Sequence, residues 1–424
     1  MRLLPKNPPP GPTDPSFWQS PVRGPWMTSI LGSLLLPLVV LVGFTGFMSH
    51  AAYNPDLGAN QVVPRDGDLD LLLFDWPTGP TWLYALNQGL HTIVGIIVVP
   101  LILAKLWSVF PKLFAWPPIR SPAQALERIS LLLLVGGAGF MWATGLLNMQ
   151  LYYPWSFNFV VAHYYGAWVF LGALTVHVLT KLSTIRTAYA ERGVLKPLMD
   201  DVAHTVAEPH RVNGLAPEVP EAATISRRGV LGLVGATSAG LFLVTAGQSI
   251  GGPLRSIAVL GPRGRGAGSD GQGFPVNKTA EVAKITPAMV GPDYRLKLTG
   301  PRAAEMTRAE LAGMEQHTET LPIACVEGWS STQTWTGIRL ADLAMMAGIG
   351  EGQGLQVISL QEAGAFRQTT LSRDQVMNPK SLLALQVNGK DLSLDHGFPA
   401  RIIVPAQPGV HNTKWVTELK VVRA

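Results

Sequence analysis

A chain of 424 residues with 47% hydrophobic and only 14% charged side chains is too apolar for an ordinary soluble enzyme, so part of it must lie in a lipid bilayer. The formal net charge of +5 is accounted for by basic residues on alternate loops between apolar segments, which excludes reading it as a nucleic-acid footprint. The one cysteine, Cys325, excludes an intramolecular disulfide and leaves packing, reactivity or metal ligation as its use.

Five windows are apolar enough to span a membrane, roughly 27–49, 83–107, 127–150, 159–182 and 229–249. Residues 1–26 form an amino-terminal segment with Arg2, Lys6 and Arg23, and further basic residues flank the spans at Lys105, Lys112, Arg120 and Arg128 and across 186–228. The 51–82 loop instead carries Asp56, Asp66, Asp68, Asp70 and Asp75 against one Arg. The excess of basic residues on one side predicts a multi-pass protein of the cytoplasmic membrane with its amino terminus inside and its carboxy-terminal domain outside.

The first four spans, in a domain over 27–185, carry His50, His91, His163 and His177. Ionisable side chains inside a bilayer are costly and usually mark a functional site. His163 and His177 are fourteen residues apart, about four helical turns or roughly 21 Å on one face, the separation of two stacked haem sites. The bland alternative is that each His simply hydrogen-bonds a neighbouring helix. Depth favours His91 with His163 as the ligand pair of an outer haem b, with His50 as an alternative ligand or a neighbour of it.

Before the fifth span, "SRRGVL" over Ser226–Leu231 resembles a twin-arginine export signal, which would carry the following domain across already folded. An ordinary basic flank is the other reading. Residues 250–273 lack a hydrophobic period and are expected to be a flexible linker. From 274 to 424, β-branched runs such as "YRLKLTG", "GLQVISL", "ALQVNGK" and "ARIIVP" alternate with turns and with "GIRLADLAMMAG", which predicts an α+β domain.

The four-span region, with the "NQGLHTIVG" run around His91, "ATGLLN" and "AHYYGAWVF", resembles the b-type cytochrome subunits of formate dehydrogenases and nickel hydrogenases. That resemblance implies a four-helix haem bundle exchanging electrons with quinone or quinol. In two-haem members His177 would pair with a His near the start of span one, where this chain reads "GPWMTSILGS". His177 could therefore take an unusual partner, line a quinone site or be structural.

In the last 151 positions, "FPVNKT", "ACVEGWS", "WTGIRLADL", "LLALQVNGKDLSLDHGFPARIIVP" and "GVHNTKWV" follow the pattern of the sulfite oxidase family of molybdopterin domains. The pattern is similar to the branch containing the catalytic subunit of periplasmic methionine sulfoxide reductase. The resemblance implies an oxidoreductase in which Cys325 ligates molybdenum, while Asn277, Asn388, Arg401, Gly409 and the 410–412 backbone cradle the molybdopterin and its phosphate. Lys414 would add charge, His411 stands where that branch has Lys, and His396 is a candidate contact or a brace for the loop before Arg401. By the same analogy, a small or protein-bound S-oxide or N-oxide would be reduced. Sulfite oxidation with electrons descending to quinone, and a non-catalytic outer binding domain on a membrane cytochrome, are the alternatives.

Overall fold

The protein is described from a computed structural model covering residues 7–53, 74–119, 121–210, 214–262 and 272–423. Among the described residues, five helices are long and apolar enough to cross a membrane, consistent with membrane association. In chain order the helices are α1 (Pro25–Tyr53), α2 (Leu83–Ile97), α3 (Val99–Leu113), α4 (Pro122–Met149), α5 (Phe159–Arg192), α6 (Arg227–Leu243) and the short α7 (Gly247–Ile250). The second span is thus two helices, because Pro100 in the first turn of α3 has no N–H to continue the ladder from α2. α5 is long enough to hold both His163 and His177; Asn158 caps its start by accepting from Val160 N and Val161 N.

The chain divides into two compact units. The first holds 1–43, 94–147 and 155–242, the second 44–93, 148–154 and 243–424. The second unit takes in residues before 274, the start of the α+β domain, and of the acidic 51–82 loop residues 54–73 lie outside the described residues.

Within the first unit, Glu208 caps the start of α1 by accepting from Trp26 N at 3.1 and 3.2 Å, and the Trp26 indole donates to Gly193 O. Burial raises the Glu208 pKa above the usual carboxylate value. Arg227 is fully buried, donating to Pro21 O and Val206 O, whereas Arg228 is exposed. Ser226 caps α6 through Gly229 N. His177 is half-buried, with Lys105, Lys181, Lys112 and Glu127 as its charged surroundings.

Within the second unit, the expected linker contains a 3-10 helix, Gly252–Ile257, with Ala258 buried behind it and Leu260 N bonded to Val244 O. Residues 263–271 of that linker lie outside the described residues. The α+β fold then runs β1 (Arg295–Thr299), β2 (Ala304–Thr307), α8 (Arg308–Gly313), β3 (His317–Ala324), β4 (Ser330–Arg339), α9 (Leu340–Ala347), β5 (Gln353–Ser359), β6 (Gln368–Leu371), α10 (Arg373–Met377), β7 (Leu382–Val387), β8 (Lys390–Asp391), β9 (Arg401–Ile403) and β10 (Val416–Arg423).

One sheet has the order β2-β1-β10-β5-β6, with β1 and β10 parallel. The other has the order β3-β4-β7-β8, with β9 on β7. Leu296, Leu298, Leu343, Val357, Ile402 and Leu419 belong to the main core. A second core, with Phe274, Leu321, Trp329, Trp335 and Ile403, contains Cys325. The site thus sits at the loop end of β3 and β4, backed by packed aromatic rings.

Candidate functional site

β3 ends at Ala324 and β4 begins at Ser330, so Cys325–Trp329 is the connection between two paired strands. The turn is closed by Cys325 N to Trp329 O at 2.9 Å and Gly328 N to Cys325 O at 3.0 Å. Gly328 has φ +92°, a conformation that glycine adopts without steric cost. Cys325 is buried, and the exposed Asn277 donates from Nδ2 to its Sγ at 3.2 Å. A donor on the sulfur favours the thiolate, the form that ligates metals.

Other loops converge on this turn. Ala324 bridges to Pro408, and a Cβ on Gly409 would lie 3.0 Å from Ala324 O, so the 409–411 turn runs directly against the cysteine strand. His411 and Asn412 follow, both buried. Arg401, at the start of β9, donates to Asn412 O at 3.2 Å and His396 O at 3.0 Å, and its guanidinium lies 5.3 Å from the Trp335 ring centroid. A Cβ on Gly397 would lie 3.2 Å from Arg401 Cβ and 3.1 Å from Lys414 Cβ, which brings those two cationic chains to one place.

The donors gathered here are left wanting. Among the described residues no carboxylate pairs with Arg401, its Nε has no hydrogen-bond partner, and burial pushes its pKa down to about 9. Asn412 Nδ2, Thr413 Oγ1 and both ring nitrogens of His411 are likewise buried without a well-formed bond, though the Ala52 backbone lies near the His411 ring. Burial holds His411 neutral, with a pKa of about 4. A buried guanidinium without a carboxylate partner is costly, and the unpaired Arg401 Nε, Asn412 Nδ2 and Thr413 Oγ1 fit an anionic ligand. A cysteine sulfur at one end and unpaired donors at the other fit a metal held by a phosphorylated pterin.

The remaining predicted residues divide. His396 is buried, its ring centroid 3.7 Å from that of Phe274 and its Nδ1 3.2 Å from Ser393 Oγ, while its carbonyl accepts from Arg401. Lys414 Nζ donates to Asp395 O at 2.8 Å and to Lys278 O. Asn388 is exposed with φ +52°, and Gly389 follows at +74° in the turn joining β7 and β8. Its amide accepts from Thr334 N and donates to Gln333 Oε1, both on β4, and to Gln272 O, which tie that hairpin turn to its neighbours.

Sequence reasoning missed the residues that clamp the cysteine turn within the same compact unit. Gln88 on α2 donates from Nε2 to Val326 O at 2.7 Å and accepts from Ser49 Oγ at 2.9 Å. Ser249 Oγ donates to Gly328 O, and Ser330 Oγ donates to Ser249 O at 2.7 Å. A Cβ on Gly328 would fall 2.6 Å from Thr92 Oγ1, so glycine is required there by contact as well as by conformation. Trp76 Nε1 donates to Ala406 O at 2.7 Å. A polar Gln one turn before His91 in an apolar helix was the available signal. His50 is buried in the last turn of α1.

Residues 282–424 match the family described as "Oxidoreductase molybdopterin binding domain". Mitochondrial sulfite oxidase of Homo sapiens is 31% identical over 142 residues, covering 31% of this chain and 24% of that protein. The "Uncharacterized oxidoreductase YuiH" of Bacillus subtilis is 36% identical over 95 residues, covering 22% of this chain and 46% of that one. Among solved structures, the sulfane dehydrogenase SoxCD of Paracoccus pantotrophus aligns at 24% identity over 31% of this chain and 39% of that chain, with a TM-score of 0.29. The chain spans well under two thirds of the length of these proteins. With the thiol, the unpaired donors and the matched segment in agreement, the carboxy-terminal part of this chain is an oxidoreductase domain of the sulfite oxidase family that binds molybdopterin.

Proposed function

We propose that this chain is a membrane-bound molybdenum oxidoreductase that reduces a neutral S-oxide or N-oxide outside the cytoplasm with electrons drawn from quinol through haem b. In this reading Cys325 ligates molybdenum, Arg401 and the 411–413 stretch hold the pterin phosphate, and His91 and His163 ligate the haem. Once bound, the molybdenum-pterin supplies two-electron oxygen-atom exchange and the haem supplies electrons one at a time. Asn277 holds the thiolate at Sγ and, being exposed, lies where the site meets solvent.

The observation that carries the choice of a neutral substrate is Glu327. It is buried two residues after Cys325 and is the only Asp, Glu, Lys, Arg or His between Cys325 and Gly337. A doubly charged anion such as sulfite would need cations there to offset its desolvation. The similarity to proteins named sulfite oxidase favours a second reading, oxidation of sulfite with electrons passing to quinone.

Metal and pterin analysis of the purified chain, haem spectra and turnover assays in both directions test the proposal. It predicts molybdenum, a low-spin b-type spectrum lost in His91→Ala and His163→Ala but kept in His177→Ala, and oxide reduction exceeding sulfite oxidation. Faster sulfite oxidation would favour the second reading, and a protein without molybdenum would overturn both.

A further inference from the structure

The two membrane histidines assigned to haem stand in the same local setting, each within its own compact unit. His163 Nδ1 lies 2.9 Å from Thr144 Oγ1 of α4. His91 Nδ1 lies 3.4 Å from Thr45 Oγ1 of α1. Each threonine is followed by a glycine that makes room for the same ring: a Cβ on Gly145 would lie 3.3 Å from His163 Cε1, and one on Gly46 would lie 2.9 Å from His91 Cε1. A Thr-Gly pair therefore occurs once for each histidine, on the helix facing it. Asn87 Nδ2 donates to Thr45 O at 2.9 Å, tying α2 to α1 at that level.

The protons can be followed at Thr144. Its hydroxyl donates to Phe140 O at 2.7 Å, the back-bond to the preceding turn that threonine makes in helices. With its proton so used, Oγ1 accepts, and the hydrogen between it and the imidazole belongs to His163 Nδ1. A neutral imidazole protonated at Nδ1 carries its lone pair on Nε2.

We infer that Thr144 and Thr45 are positioning residues that hold His163 and His91 as Nδ1–H tautomers, oriented to offer Nε2 to haem iron, with Gly145 and Gly46 providing clearance for the rings. The inference rests on the haem assignment proposed above and deepens it. A hydrogen bond from Nδ1–H to an oxygen increases the basicity of the ligand and so stabilises the ferric state. The Thr144 contact, being shorter, should carry the larger effect.

The test is a potentiometric titration of the haem absorption band with EPR of the oxidised state, on full-length protein in detergent. Thr144→Val keeps the branched shape and removes the acceptor. It should retain haem, move the midpoint potential positive and alter the low-spin g-values, while Thr144→Ser restores both toward wild type. Thr45→Val should give a smaller shift in the same direction. Haem-replete Thr144→Val and Thr45→Val with wild-type potentials and g-values would overturn the inference. If the valine variants fail to accumulate, ¹⁵N NMR of histidine-labelled apoprotein reads the tautomer directly: hydrogen on His163 Nδ1 supports the inference, and hydrogen on Nε2 overturns it. That readout stands even if wild-type protein carries no haem, so failure of the haem assignment is distinguishable from failure of this one.

Discussion

The Gln88 side chain donates to the carbonyl of Val326, the residue next to Cys325, at 2.7 Å, and Gln88 stands one helical turn before His91 on α2. Three residues of α-helix advance about 4.5 Å, so the helix that carries a candidate haem ligand also holds the turn that carries the candidate molybdenum ligand. Ser49 fixes the amide from its other end, so the donor and acceptor ends of Gln88 are both engaged.

Gln88→Leu should therefore act on the site more than on the fold. It removes both hydrogen bonds of the Gln88 amide and leaves the half-buried Val326 carbonyl without that donor, a cost of about 1–3 kcal/mol. Misplacing the Cys325 turn should lower kcat roughly 10- to 100-fold. Steady-state kinetics beside molybdenum content check this: wild-type kcat in a fully loaded Gln88→Leu protein would show that the clamp does not position the thiol.

Arg401 supplies the second expectation. The charge of its buried guanidinium, which has no carboxylate partner among the described residues, is offset when a phosphate binds, and its planar fork matches that ligand better than an ammonium. Arg401→Lys should export normally but purify with several-fold less pterin and molybdenum. An unchanged pterin-to-protein ratio would remove Arg401 from the cradle.

His411 gives a pH dependence. Burial lowers its folded pKa from 6.5 to about 4, so the unfolded chain binds the extra proton between those values. The stabilisation is full above about pH 6.5 and is lost progressively as pH falls toward 4, amounting to about 3 kcal/mol. The Tm difference between pH 7 and pH 5 should shrink in His411→Gln, and an identical difference would show that other groups set the acid sensitivity.

Much of the carboxy-terminal α+β domain was legible in its residues because strands advertise themselves through alternation. "GLQVISL" became β5, "ALQVNGK" became β7 with an Asn-Gly turn, and "GIRLADLAMMAG" spans the end of β4 and α9. Cys325, Asn277, Arg401, Gly409 and His411 were anticipated through motif resemblance, and the structure brings Asn277, Gly409 and the cysteine turn into contact. Gln88, Ser249 and Trp76 escaped because their partners are backbone carbonyls, which impose no residue type on the other side and leave no pattern. Within 250–273 the 3-10 helix Gly252–Ile257 leaves no signal in the sequence, because glycine-rich sequence with little periodicity can still form such a turn.

Export separates the two readings of the twin arginines. Arg227 is buried and bonded to two carbonyls, whereas Arg228 is exposed. A functional signal predicts that Arg227→Lys with Arg228→Lys holds a reporter fused after Ala424 inside the cell. A plain basic flank predicts normal export of that double variant.

The most direct test of the account is Cys325→Ser, assayed for oxide-driven turnover alongside quinol reduction of the haem. Serine is nearly isosteric, but its hydroxyl stays protonated and is a poor donor to a soft-ligand metal site. The account predicts a folded, exported protein whose haem is fully reducible by quinol while turnover falls by orders of magnitude. Wild-type turnover in Cys325→Ser would show that the thiol is only a packed core side chain and would contradict its assignment as the molybdenum ligand.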